Sequence, residues 1–196
     1  ANLGFLLRSL PDHAPQEAIA FSFDLWTEFM AQTMSSGLTL KEMIAIELNA
    51  LKFPVEDPAH FSLRLRAIRT WIKDEASFSV YQQQKIIQAL EPLDANRRIR
   101  FRSSTNVEDS EYFSGAGLYD SFSGCLADEQ DQDDEGPSAC DSTKGNERGV
   151  FRAIQKVFAS FYNENAFIER LRRGVNEDEV GMAILAHYSF PDQMER

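Results

Sequence analysis

The chain has 196 residues, 43% of them hydrophobic, and a formal net charge of −11. That acidity excludes a general nucleic-acid binder, whose basic surface would have to displace counterions from phosphates. No stretch reaches the roughly eighteen uninterrupted apolar residues of a membrane span, so the sequence reads as a soluble globular domain, or two small lobes sharing a core, with fifteen phenylalanines as much of its apolar content.

The first half reads as mostly helical. Leu3, Leu6, Leu7 and Leu10 recur at helical spacing and Pro11 closes that helix. Ile19 to Phe23 suits a short strand, and Asp24 is placed to N-cap a helix carrying Leu25, Trp26, Phe29 and Met30. Thr39 and Glu42 form a capping-box pattern ahead of Met43, Ile44, Ile46, Leu48 and Leu51. Pro54 and Pro58 interrupt the chain. Phe61, Leu65, Ile68 and Ile72 then mark another helix, and a further one runs from Ser79 to Leu90 before Pro92.

At residue 97 the pattern changes. Arg97 to Arg102 alternates with period two, as a strand does, and a polar, Gly-rich loop follows through Gly117. Leu118 to Phe122 suits a second strand. Asp128, Glu129, Asp131, Asp133, Asp134 and Glu135 then open a polar stretch to Gly149, which reads as a mobile surface loop, with a metal site as the alternative, since calcium loops need defined spacing and a Gly turn. Helical period returns with Phe151, Ile154, Val157, Phe158 and Phe161. Gly174 is placed to stop the next helix, and Val180 to Tyr188 reads as a buried strand. Cys125 and Cys140 are too few for a disulfide framework; a bridge is one option, and two free thiols in a reducing compartment are the plainer expectation. Ala1 to Arg8 shows no initiator Met or cleavage signal, and both ends read as cuts in a longer protein.

The chemistry concentrates between Arg98 and Ser121. In a strand, Arg98, Arg100 and Arg102 share one face. Either nearby acids (Glu108, Asp109, Glu111) neutralise this row or an anion does. Arg102 sits at the expected strand end, where its guanidinium fork can take phosphate oxygens bidentately. Ser103, Ser104, Thr105 and Asn106 follow, then Phe113-Ser114-Gly115-Ala116-Gly117, whose small residues let backbone N–H groups approach a phosphate. No Gly-Lys-Ser/Thr follows, so this is not a Walker loop.

The whole string, Arg102-Ser103-Ser104-Thr105-Asn106, then Glu108-Asp109, then Phe113 to Ser121, resembles the nucleotide-binding N-terminal domain of the phosphoenolpyruvate synthase and pyruvate phosphate dikinase family. Asn2-Leu3-Gly4 looks like the segment after that family's Gly-Gly-Lys, and Gly181 to Ser189 looks like the strand into its adenine-contacting hinge. The resemblance implies an α+β, ATP-grasp fold over residues 1–196, incomplete here and helix-rich in its first half, with 126–148 as an acidic insertion. It implies that Arg102 holds the triphosphate, Gly115, Ala116 and Gly117 cover it, and Ser103, Ser104 and Ser121 stand beside it. His187, where relatives often carry glutamine, and Ser189 fall near the adenine. ATP and Mg2+ are the implied cofactors, the metal ligands lying outside this stretch. The implied partners are a phosphohistidine domain and an acceptor-binding domain of the same longer chain, in the cytoplasm. His13, His60 and His187 lack the small-residue context of a phosphoacceptor. A nucleotide-binding regulatory module without catalysis and a helical interaction domain are the alternatives.

Overall fold

A computed structural model describes residues 18–107, 109–110, 113–114, 117–131, 133 and 135–189. The expected first helix, Gly115 and Ala116 lie outside them. Among the described residues, a four-stranded antiparallel sheet is backed by helices on one side. Its strands are β1 (Ala18–Phe21), β2 (Ile99–Thr105), β5 (Phe122–Gly124) and β6 (Met182–Tyr188), in the order β1-β6-β2-β5. Two short strands, β3 (Asp109–Ser110) and β4 (Phe113–Ser114), pair as a separate hairpin. The chain is thus α+β, and no described helix is long and apolar enough to cross a membrane.

The helices start where side chains cap them. Ser22, not Asp24, caps α1 (Phe23–Met30), so β1 stops at Phe21. Asp24 falls in the first turn instead, where its charge complements the helix dipole. The Thr39–Glu42 capping box opens α2 (Leu40–Asn49) as expected: Thr39 N–H donates to Glu42 at 2.7 Å and Glu42 N–H to Thr39 Oγ1 at 3.2 Å. Donation from the Thr39 N–H, and then from its hydroxyl, holds the Glu42 carboxyl below its ordinary pKa. The cap's contribution is therefore complete above the usual glutamate range and is lost as pH falls through the lowered value. Asp57 caps α3 (Pro58–Thr70), which runs on into a π-helical turn, Trp71–Glu75. Ser79 and Gln82 make a second capping box for α4 (Val80–Leu90). After a short α5 (Leu126–Gln130) come α6 (Val150–Ser160) and α7 (Glu164–Arg172). Gly174 ends α7 with φ of +65°, and Val175 N–H returns to Arg170 O at 3.0 Å.

The core lies between the sheet and α1, α3, α4, α6 and α7. Ile99 and Phe101 of β2, and Met182, Ile184 and Ala186 of β6, point into it. Trp26 meets Phe158 edge-on at 5.0 Å and Phe161 at 5.1 Å, and Phe29 packs on Phe78 at 4.8 Å. Buried Gln155 of α6 donates to the carbonyls of Ile72 and Ala76, satisfying the end of the π turn. Helix α6 crosses β5 so closely that a Cβ on Gly124 would lie 2.9 Å from Val150 Cα and 3.2 Å from Ala153 Cβ. Backbone cannot yield as a side-chain tip does. Gly124→Ala is expected to destabilise the fold by about 1–3 kcal/mol; an unchanged melting temperature would show that α6 can shift.

Described residues of the stretch expected to be a mobile loop are tied down. Asp128 is buried and accepts from the amides of Ala139 (2.7 Å) and Arg148 (2.8 Å). Cys125 and Cys140 form a disulfide, correcting the expectation of two free thiols. Sequence separation said nothing here: the fold brings their Cα atoms to 5.8 Å. The cysteines no longer support a reducing compartment.

Candidate functional site

Because side chains alternate along β2, burying Ile99 and Phe101 turns Arg100, Arg102 and Ser104 to the other side of the sheet. The strand extends past its expected end at Arg102 to Thr105, so Arg102 lies within it. In register, Arg100 faces His187, Arg102 faces Leu185 and Ser104 faces Ala183. Ala18 and Ala20 continue this face through β1, and Ser123 faces Arg100 from β5. The result is a sheet face of arginine, hydroxyl and small apolar groups. Arg102 and Ser104 are exposed on it.

Arg102 is held by a neutral partner. Its Nε–H donates to His187 Nε2 at 2.9 Å, while His187 Nδ1 lies 2.7 Å from Tyr188 O. A carbonyl can only accept and an arginine N–H can only donate. The ring therefore carries its proton on Nδ1 and is uncharged. Among the described residues, no carboxylate pairs with Arg102, and both terminal guanidinium nitrogens stay available to a ligand. Arg98 is different: Asp141, from the far segment, pairs with it at 3.0 Å. Arg100 donates to Ser123 Oγ at 3.4 Å, and Ser123 and Ser189 share a hydrogen bond of 2.9 Å. Of the nearby acids weighed as neutralising the row, Glu108 and Glu111 lie outside the described residues.

Of the residues expected at the site, Arg102, Ser104, His187 and Ser189 come together on the open face or at its end. Ser103 pairs with Ile184 and points to the core side. Ser121 is half-buried in the turn before β5. Gly117 has φ of +78° with nothing near its missing Cβ, a conformation that favours glycine on backbone grounds alone. Both ends of the Gly-rich stretch are anchored. Asn106 clamps the start with its amide, donating to Glu179 O (2.8 Å) and accepting from Gly181 N–H (3.1 Å). At the far end, Tyr119 stacks on Phe161 at 5.7 Å and accepts from Arg170 at 3.4 Å, and Asp120 accepts from Asn163 at 2.9 Å. An exposed arginine and hydroxyl on one sheet face suit the recognition of an anionic ligand.

A family model for the pyruvate phosphate dikinase AMP/ATP-binding domain matches residues 8–187. The chain belongs to that family. No curated protein matches it. The match to this AMP/ATP-binding domain takes in strands β1, β2 and β5 and all of β6 but its last residue, Tyr188. What sequence reasoning missed is a polar cavity of about 590 Å³ at the β5 edge, lined by residues including Arg98, Arg100, Ser123, Arg148 and Lys156. Its walls come from four separated stretches of sequence. Only a periodic excess of basic residues on α6 (Arg152, Lys156) could have hinted at it.

Proposed function

We propose that the open sheet face grips the phosphates of ATP through Arg102, and that this domain feeds a dikinase-type phosphotransfer. In this reading the fold is ATP-grasp, and phosphate passes from ATP to a histidine on a separate domain and on to pyruvate or a similar acceptor. One observation carries the reading: Arg102 is exposed on the sheet face, oriented by a neutral imidazole, with no carboxylate partner among the described residues. A structural arginine would have its charge answered internally.

The donor set fits the nucleotide. Arg102 and the hydroxyl of Ser104 offer donors to phosphate oxygens, and Gly115, Ala116 and Gly117 would add backbone N–H groups. Ser103 and Ser121 support the strand and turn on either side. Leu185, Ala183 and Ala20 offer an apolar floor for a base, with His187 and Ser189 beside it. ATP, once bound, supplies the phosphoryl group. The chain's own part is to orient the triphosphate and offset its charge in a site partly screened from water. The described residues of the open face include no carboxylate, so Mg2+ would take its ligands from elsewhere.

Labelled ATP added to the full-length protein tests the reaction. Acid-labile label on a histidine is the expected result. Tight ATP binding with no label transferred would instead favour the non-catalytic regulatory module.

A further inference from the structure

The cavity beside β5 shares Arg100 and Ser123 with the sheet face assigned to the nucleotide but is not lined by Arg102 or Ser104, and its chemistry is unusual for so acidic a chain. Six cations line it: Arg98, Arg100, Lys144, Arg148, Arg152 and Lys156. Four carboxylates line it too, but most are engaged in holding the backbone. Asp128 accepts two amides, Glu129 accepts Phe151 N–H at 3.0 Å, and Asp133 accepts Glu135 N–H at 2.9 Å. Glu129 reaches that amide across Gly149, where a Cβ would lie 2.4 Å from its carboxylate. The N-terminus of α6 is thereby already capped, and the wall is fixed by glycine rather than by chance.

Two of the cations are answered from outside the wall, Arg98 by Asp141 and Arg152 by Asp74. Among the described residues, Lys144, Arg148 and Lys156 have no carboxylate within ion-pair distance. Lys156 is half-buried, 5.8 Å over the Phe122 ring. Burial first, then the charges of Arg152, Arg148 and Lys73, push its pKa down. A half-buried cation among like charges costs free energy that an anion would relieve.

We propose that this cavity is a second binding site, which holds the phosphate group of a small phosphorylated molecule between Lys156, Arg148 and Lys144. Its volume exceeds what a phosphate ion alone requires and suits a phosphorylated metabolite of modest size. Most of its walls come from 128–149 and α6, so it does not depend on Arg102 or the Gly-rich loop.

Calorimetric titration of the full-length protein with inorganic phosphate, glucose 6-phosphate and glucose tests this. Phosphate and the sugar phosphate bind, the sugar phosphate more tightly, and glucose does not. In the double variant Lys156→Gln/Arg148→Gln, phosphate affinity falls by at least about tenfold while ATP affinity holds, which also shows that the variant is folded. Lys156→Arg keeps the charge and retains binding. Arg102→Ala weakens ATP binding but leaves phosphate affinity unchanged, so failure of the nucleotide reading and failure of this one are distinguishable. Three results overturn it: no phosphate binding at all, phosphate binding that follows Arg102 rather than Lys156, or stabilisation by Mg2+ or Ca2+ alone. The last would place a cation on Asp131, Asp133 and Glu147, whose oxygens lie within 4.8 Å of one another.

Discussion

Replacing Arg102 with alanine should weaken ATP binding by about 2–3 kcal/mol, or roughly 30- to 150-fold, with little change in stability. The size follows from the chemistry lost: a charge-assisted fork to phosphate oxygens. The small effect on stability follows from exposure. Arg102 is exposed on the sheet face, and its hydrogen bond to His187, once lost, leaves an imidazole that water can satisfy. Arg102→Lys should recover part of the affinity through charge, but not the bidentate geometry. His187→Gln gives a sharper check. An amide oxygen can accept from Arg102 as the ring does, so ATP binding should persist, whereas His187→Leu should loosen the arginine and lower affinity by less than Arg102→Ala does. Calorimetric titration of each variant with Mg-ATP would decide. Unchanged ATP affinity in Arg102→Ala would remove the proposed role of this face.

Much of this site could be read from local pattern, because its parts are adjacent in sequence. Period-two alternation puts Arg100 and Arg102 on one side of β2 whatever the rest of the chain does. The capping box at Thr39, the helix restart at Val150 and the stop at Gly174 are equally local, and the structure has all three. The misreadings share another cause. Ser22 outcompetes Asp24 as the cap because β1 ends one residue before it, which depends on pairing with β6 some 160 residues away. The strand after Gly117 begins at Phe122 rather than Leu118, because Tyr119 is drawn into the core by Phe161 and Arg170. The acidic stretch looked solvated by composition. Its order comes from Asp128 binding two amides and from a disulfide, and neither leaves a periodic trace. Membership of the dikinase AMP/ATP-binding family was legible only from the long string, since its separate pieces, such as Gly-Ala-Gly, occur in many hairpins.

The least legible residue gives the largest expected effect on stability. Arg170 looks like its neighbours Arg172 and Arg173, which lie exposed at the end of α7 and at its C-cap, yet it is fully buried. It makes a two-pronged pair with Glu177 (2.7 and 3.1 Å), donates to Phe161 O at 2.8 Å and lies 3.8 Å over the Phe161 ring. Burial alone would lower its pKa, but Glu177 more than offsets that, and the group stays charged. Buried Tyr162 beside it is pushed well above the ordinary phenol range by desolvation and by Glu177, and so stays neutral. Arg170→Ala leaves a carbonyl without its donor, a carboxylate facing a void and three aromatic rings without their filler. Breaking a buried pair in this way costs about 3–5 kcal/mol. Because Glu177 keeps 25% exposure and can recruit water, the lower end is expected. At about 2–4 °C per kcal/mol for a domain of this size, melting should fall by roughly 6–12 °C. Arg170→Met fills the void without the charge, and Glu177→Gln in that background should recover part of the loss, since it removes the orphaned carboxylate. The same arginine holds Tyr119 at the foot of the Gly-rich loop. Arg170→Met should therefore raise hydrogen exchange at Gly117 to Ser121 before the core begins to open. Exchange there no faster than in the parent would mean that stacking on Phe161 anchors the loop alone, and that the buried ion pair serves only the helix pair.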